Sequence, residues 1–297
     1  MYDFKIAGTK WIRLGTVAPE QLSPMREQLH WAIQIPASVG DTLADTDEYG
    51  AAASFRWLEE DKIMAGYPVS NGKEARAGLS LVEYSLMLLD EKNLPIGHFP
   101  LTGNSIKSGY EWMKDQVRDY LTAAGKSELK RRSVADSEHP IGQGDLFRIE
   151  DTDALTELSI WFDNFHAVLS DIENTDPEAL KARIYPHHFD ISVFLKLEKD
   201  KEIQDSRSVI IGMAPGDKYY SAPYVYVNPW PYPENKSDLP KLLSGGVWHT
   251  EDWTGAVLTH DKITSSKRAS DQAERVFSFI NSAVAHCRNM AEAAAQA

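Results

Sequence analysis

HFDISVFLKLEKDK (His188–Lys201) holds the pattern from which the fold is read. In the period-two geometry of a strand, Phe189, Ile191, Val193, Leu195 and Leu197 point to one side, and an apolar face of that length is core. The other side presents His188, Asp190 and Ser192 before returning to Phe194 and Lys196. A related stretch, FRWLEEDK at Phe55–Lys62, shares Phe, Leu, Glu, Asp and Lys at matching places with FLKLEKDK at Phe194–Lys201. There the charged turn EEDK separates apolar Ser54–Leu58 from apolar Ile63–Tyr67, a hairpin signal.

Four segments of helical period surround these strands. Leu22, Met25, Leu29 and Ile33 share one face, with Ser23 as N-cap and Pro24 in the first turn. Ile106, Tyr110, Met113, Val117 and Leu121 make a second stripe, and Leu155, Leu158, Phe162, Phe165, Leu169 and Ile172 a third. Ala273, Phe277, Ile280 and Val284 make the last. All four stripes read as core contacts. Further strands are expected at Leu79–Leu89, before the turn DEKNLP, and at Phe189–Glu198, Ser208–Met213, Tyr224–Asn228 and Gly255–Thr259. The class is therefore α+β, with antiparallel sheet layers covered by helices.

Both halves run helix, several strands, helix, which suggests a duplicated α-β-β-β-α unit. A second, weaker match supports it, LTGNSI (Leu101–Ile106) against LTHDKI (Leu258–Ile263). The alternative is chance similarity between short charged hairpins. On this reading residues 1–132 form a first half, 133–150 a polar linker containing SVADSEHPIGQGD, and 151–297 a second half carrying the site. The anchors lie 46 residues apart in the first half and 64 in the second, and the surplus falls in or near VNPWPYPENKSDLPKLLSGGVWHTEDW. Long Pro- and Gly-rich loops bearing aromatics are often functional.

Composition excludes several classes. Hydrophobic residues at 42% and charged residues at 25% place the chain among globular proteins. A net charge of −13 argues against a nucleic-acid partner. The one basic run, KSELKRR (Lys126–Arg132), reads as a solvated helix face. A single cysteine, Cys287, excludes an internal disulfide and reads as a buried structural thiol. MYDFKIAGTKWIRLG lacks a signal-peptide core and no apolar run is long enough to span a membrane, so a cytoplasmic location is expected.

The chemistry concentrates between Tyr185 and Trp253. If the strands at His188 and Tyr224 share a sheet, His188, Asp190, Tyr224, Tyr226 and Asn228 line one wall, the composition of a ligand site. Tyr219–Trp253 carries eight aromatics, roughly twice the chain-wide density, among them Trp230 and Trp248 as candidate lids. They serve equally as a plug for the sheet end. His188 and Asp190, ~6.6 Å apart at two residues of strand rise, would reach one divalent metal such as zinc, with His249 or His187 as third ligand. Without metal, Asp190 would orient His188 for acid–base work. In the structural reading, His187 and His188 simply hydrogen-bond to backbone after Pro186. A serine triad is excluded, because Ser192 and His188 would stand ~13 Å apart. No GxSxG elbow, Walker-type loop or GxGxxG fingerprint occurs. MAPGD (Met213–Asp217) reads as a turn, with Asp217 more a turn-former than a site carboxylate.

The succession YPHHFDIS (185–192), GMAPGDKYYSAPYVYVNPW (212–230) and WTGAVL (253–258) resembles an uncharacterised group of bacterial proteins. In that group a Trp/Tyr-Pro-x-His-Phe-Asp segment precedes a Gly-x-x-Pro-Gly-Asp turn and a Pro-Tyr-x-Tyr-Val strand. The resemblance covers most of the second half and implies kinship without an activity. Positions matching His187 and His249 are often Glu and Asn there, which favours the His188–Asp190 pair over a metal set needing both other histidines. The leading expectation is a binding site for a small polar, ring-bearing molecule, sugar-like or aromatic. A hydrolase-type enzyme using His188 and Asp190, metal-assisted or not, is the second reading. The third is an assembly protein, such as a homo-oligomer, using the aromatic loop as its interface.

Overall fold

The computed structural model describes residues 10–46, 48, 50–121, 128–135 and 138–293. Along the chain the elements are α1 (Pro19–Leu43), β1 (Phe55–Leu58), β2 (Ile63–Gly66), β3 (Val69–Ser70), β4 (Glu74–Ser80), β5 (Ser85–Asp90), β6 (Pro95–Pro100) and α2 (Ile106–Leu121). Then follow α3 (Thr152–Thr175), β7 (Arg183–Tyr185), β8 (Asp190–Lys196), β9 (Ser208–Ala214), β10 (Tyr224–Trp230), β11 (Val247–His249), β12 (Gly255–Thr259), α4 (His260–Thr264) and α5 (Ala269–Ala293). The fold is α+β with antiparallel strand pairing.

The expected helices are present, with local causes. Ser105 Oγ accepts from the Ser108 N–H (3.2 Å) and Asp151 Oδ1 from the N–H of Asp153 (2.8 Å) and Ala154 (3.1 Å), the N-caps of α2 and α3. α1 starts at Pro19, so Ser23 is not its cap, and Pro24 and Pro36 lie inside it. Burial along Leu22–Gly40 holds this helix despite two missing N–H donors. No helix among the described residues is long and apolar enough to cross a membrane.

The chain forms two compact units, each built from separate stretches of sequence. Unit 1 takes the residues up to Pro19, 160–182 and 190–297; unit 2 takes 20–159 and 183–189. The parting therefore does not follow the expected division into 1–132, 133–150 and 151–297. The stretch read as a linker is part of unit 2, where Ile141 and Phe147 are buried. Gly142 there lies against the Trp31 ring so closely that a Cβ would stand 2.5 Å from it.

In unit 2 the strand order is β7-β1-β2-β4-β5-β6, with β3 on β4. The β1–β2 hairpin pairs Phe55 with Gly66 and Leu58 with Ile63, as its charged turn predicts. The apolar run Leu79–Leu89 is broken by a turn at Leu81–Tyr84, so more strands are present than the three per half expected. Arg132 is not on a helix face. Glu128–Arg132 is irregular chain, and the Arg132 guanidinium bonds Gln34 (3.0 Å) and Asp41 of α1. Residues 1–9 and the start of the basic run, Lys126 and Ser127, lie outside the described residues.

In unit 1 the order is β11-β12-β10-β9-β8, with α5 packed against β9, β10 and β12. Cys287 of α5 is buried, and its thiol donates to the Val227 carbonyl at 3.5 Å. Both repeat matches fall at like junctions: a strand entering a charged turn (β1, β8), and a strand leading into a helix (β6 to α2, β12 to α4).

Past β7 the chain turns over Pro186–Phe189. Phe189 adopts φ 56°, costing a non-glycine residue about 1–2 kcal/mol. Its buried ring stacks on His30 at 5.5 Å and its N–H donates to the Tyr185 carbonyl at 2.8 Å, which holds the turn. The Pro186 carbonyl accepts from His30 Nε2 (2.9 Å) and Gln34 Nε2 (2.7 Å). Burial, aided by the charges of Arg26 and His188 and opposed by that carbonyl bond, lowers His30 to about 4. The unfolded chain, with a histidine near 6.5, then binds the proton that the folded one refuses. His30 accordingly contributes stability present in full above pH 6.5 and lost as pH falls towards 4, up to about 3 kcal/mol. Urea midpoints followed from pH 7 to pH 4 should fall less steeply for His30→Gln, which keeps a donor for Pro186, than for the unmodified chain. Parallel profiles would refute this account.

Candidate functional site

The left-handed Phe189 resets strand parity. β8 begins at Asp190, not at His188, so the shared face expected of these two residues does not form. His187 and His188 sit exposed in the turn, their rings 4.3 Å apart, and belong to unit 2, whereas Asp190 is buried and opens the last stretch of unit 1. The His188–Asp190 dyad for acid–base work therefore loses its geometry. The metal set His188, Asp190 and His249 does too: among the described residues no group of three or more His, Cys, Asp or Glu side chains could hold an ion.

What gathers instead is one face of the unit 1 sheet. Register places Ser192 opposite Gly212 and Gly212 opposite Tyr226. Asn228 stands two residues along β10, and His249 pairs with Gly255 of β12. Alternation sends Val193, Ile211, Val227 and Ala256 to the other face, with α5 packed against β9, β10 and β12. Two glycines make the polar face possible. A Cβ at Gly212 would lie 2.5 Å from the Tyr226 ring, and one at Gly255 would lie 2.5 Å from Trp253 and 2.8 Å from Asn228. Both rings therefore lie flat across bare backbone.

Five rings then close a circuit: Tyr220 to Tyr224 (4.7 Å between centroids), Tyr224 to Tyr226 (6.1 Å), Tyr226 to Trp253 (6.3 Å), Trp253 to His249 (4.3 Å, stacked) and His249 to Tyr220 (5.8 Å). Tyr219 leans on it, 4.9 Å from His249 and 6.5 Å from Trp253. Each phenol tip is tied down. Tyr224 donates to Asp217 Oδ2 (2.8 Å), Tyr226 to Asp190 Oδ2 and Tyr219 to Asp252, while Tyr220 Oη bonds His249 Nδ1 (3.2 Å). Asp217 is more than a turn-former. Its Oδ1 caps the N–H groups of Tyr219 (2.8 Å) and Tyr220 (2.9 Å) and so aims both rings.

Electrostatics keep these phenols protonated. Burial first, then Asp217, raises Tyr224; burial first, then Asp190, raises Tyr226 well above its usual value. Tyr220 is raised by burial and by Asp217 and Glu251, and Tyr219 mainly by its bond to Asp252. Tyr219, Tyr224 and Tyr226 act as donors to carboxylates, while Tyr220 bonds the His249 ring. Two polar atoms of the site are buried without a partner, Asp190 Oδ1 and His249 Nε2.

The candidate lids stand elsewhere. Trp248 donates through Nε1 to the Pro240 carbonyl (2.7 Å), and its register partner Ala256 puts it on the face opposite His249. Trp230 is 46% exposed and packs edge-on against Tyr232. The loop between β10 and β11 is fastened to α5, through Leu243 N–H to Ser282 Oγ (3.2 Å) and Gly246 against Phe279. Of the predicted residues, Asp190, Tyr224, Tyr226, Asn228 and His249 share the face. Tyr219, Tyr220, Asp217, Asp252 and Trp253 join them, and DKYY after the Pro-Gly turn was the available signal for the first three. No family model, curated protein or solved structure matches the chain.

The Tyr226–Asp190 bond can be weighed by truncation. Tyr226→Phe leaves the buried carboxylate without a partner on either oxygen and should lower stability by about 1–3 kcal/mol. Adding Asp190→Leu removes the stranded group, so the double variant should recover most of the loss. Denaturant midpoints for the four members of the cycle check this, and additive losses would contradict it.

Proposed function

We propose that unit 1 binds a small, polar, ring-bearing molecule on the circuit of Tyr220, Tyr224, Tyr226, Trp253 and His249. The carrying observation is the closure of that circuit with its polar tips tied back, while Tyr220, Tyr226 and Trp253 stay only partly buried. Aromatic rings placed only to plug a sheet end gain most when fully covered, at about 25 cal/mol per Å² of apolar surface. Here ring faces stay open on a face stiffened by hydrogen bonds, which lowers the ordering cost of binding. Ligand-observed NMR with a panel of polar ring compounds, sugars and heteroaromatics included, should yield hits that compete with one another and vanish in Tyr220→Leu. A panel without hits, or hits unaffected by that variant, would refute the proposal.

The assembly reading is favoured by a separate observation. Val247, on the edge strand β11, is 48% exposed, and Leu243 just before it is 55% exposed. An apolar edge is a template for pairing with a second copy. If this reading holds, sedimentation velocity will show a dimer that Val247→Lys dissociates; a monomer at every concentration rules it out.

A further inference from the structure

The circuit is fastened to carboxylates, and the cation beside it, Lys218, lies over the Tyr219 ring. Asp190 is 5% exposed, and among the described residues no lysine or arginine forms an ion pair with it or with Asp217. Buried Asp176 in the same unit does have its cation, for Arg288 bonds both Asp176 (2.7 Å) and Glu178. A buried carboxylate without a cation is costly, and one with an unused oxygen more so. Asp190 has both deficits, since Oδ2 takes the Tyr226 hydroxyl and Oδ1 has no partner.

The rings supply the complementary surface. Neighbouring rings of the circuit stand 4.3 to 6.3 Å apart between centroids, and a cation seated on their partly open faces would come within the ~6 Å reach of cation–π attraction. Phenols that donate to carboxylates gain electron density, which strengthens the negative ring face. The chain already shows this affinity, for the Lys218 ammonium lies 5.1 Å from the Tyr219 centroid. His249, 8% exposed, supplies a second unpartnered polar atom, Nε2.

Resting on the binding site proposed above, we infer that its ligand is an alkylated ammonium, secondary or tertiary. One N–H would satisfy Asp190 Oδ1, and the alkyl groups would lie against Tyr220, Tyr224, Tyr226 and Trp253. A primary ammonium would leave two donors facing rings, and a metal ion would need more oxygen ligands than the face provides.

The test compares N,N-dimethylbenzylammonium with benzyl alcohol, which keeps the ring and lacks the charge, by saturation-transfer NMR titration. The cation should bind at least tenfold more tightly. Asp190→Asn should lower affinity for the cation at least tenfold more than affinity for benzyl alcohol, and Asp217→Asn should reduce the preference if Asp190→Asn fails to fold. Equal affinity for the two compounds overturns the charge inference and leaves the binding site standing. Absence of binding by either overturns both.

Discussion

Asp190 is the first residue of β8, and its carboxylate lies out of water with a single hydrogen-bond donor, the Tyr226 hydroxyl two strands away. The bond spans β9, so its geometry depends on what β9 places beneath it. Gly212, in register with both Ser192 and Tyr226, is the one residue type that lets a tyrosine lie across the strand. Any side chain there would lift the ring and strand the carboxylate. Register, glycine and ion thus form one constraint, and the direction in which Tyr226 points fixes where Tyr224 and Trp253 can stack.

The neighbouring tyrosines obey the same rule at lower cost. Asp217 is held by a Pro-Gly turn and uses one oxygen for two backbone N–H groups and the other for Tyr224. A single carboxylate therefore ends the turn, orients Tyr219 and Tyr220, and anchors Tyr224. Three acids hold the aromatic face, and burial, reinforced by these acids, raises Tyr224 and Tyr226, while the bond to Asp252 raises Tyr219. Donor and acceptor roles do not exchange as pH changes, which suits a recognition surface better than proton transfer.

Much of this was legible in the sequence. Period-two alternation from Ile191 to Leu195 identified β8 and its core face, and the helical stripes located α2, α3 and α5, because burial writes its period directly into residue order. Asp190, Tyr224, Tyr226 and Asn228 were found for the same reason. His188 was misplaced because a left-handed Phe189 interrupts the alternation, and nothing in the composition of HHFD marks a non-glycine residue at positive φ. Trp230 and Trp248 drew attention by density alone, yet one pins its own loop and the other lies open beside Tyr232. Asp217 and Tyr220 were undervalued because turn-forming and ligand-facing roles read identically in one dimension. The make-up of the two units from separate stretches was hidden too, since it depends on pairings such as Phe55 with Ile184, far apart in the chain.

The charge balance of the chain gives the aromatic face its meaning. With 44 acids against 31 bases, most carboxylates must be solvated or bonded to neutral donors, and surface acids manage this at little cost. Asp190 cannot, because it is buried. Moving it to the surface, or replacing it with an apolar residue, would stabilise an otherwise apolar sheet, as it does for many buried ions. A fold that keeps the carboxylate, spends a glycine to let a tyrosine reach it, and surrounds it with ring faces bears a stability cost that the single Tyr226 bond offsets only in part. A positively charged guest of the kind inferred above would offset that cost, because its charge would meet the buried carboxylate and the ring faces together.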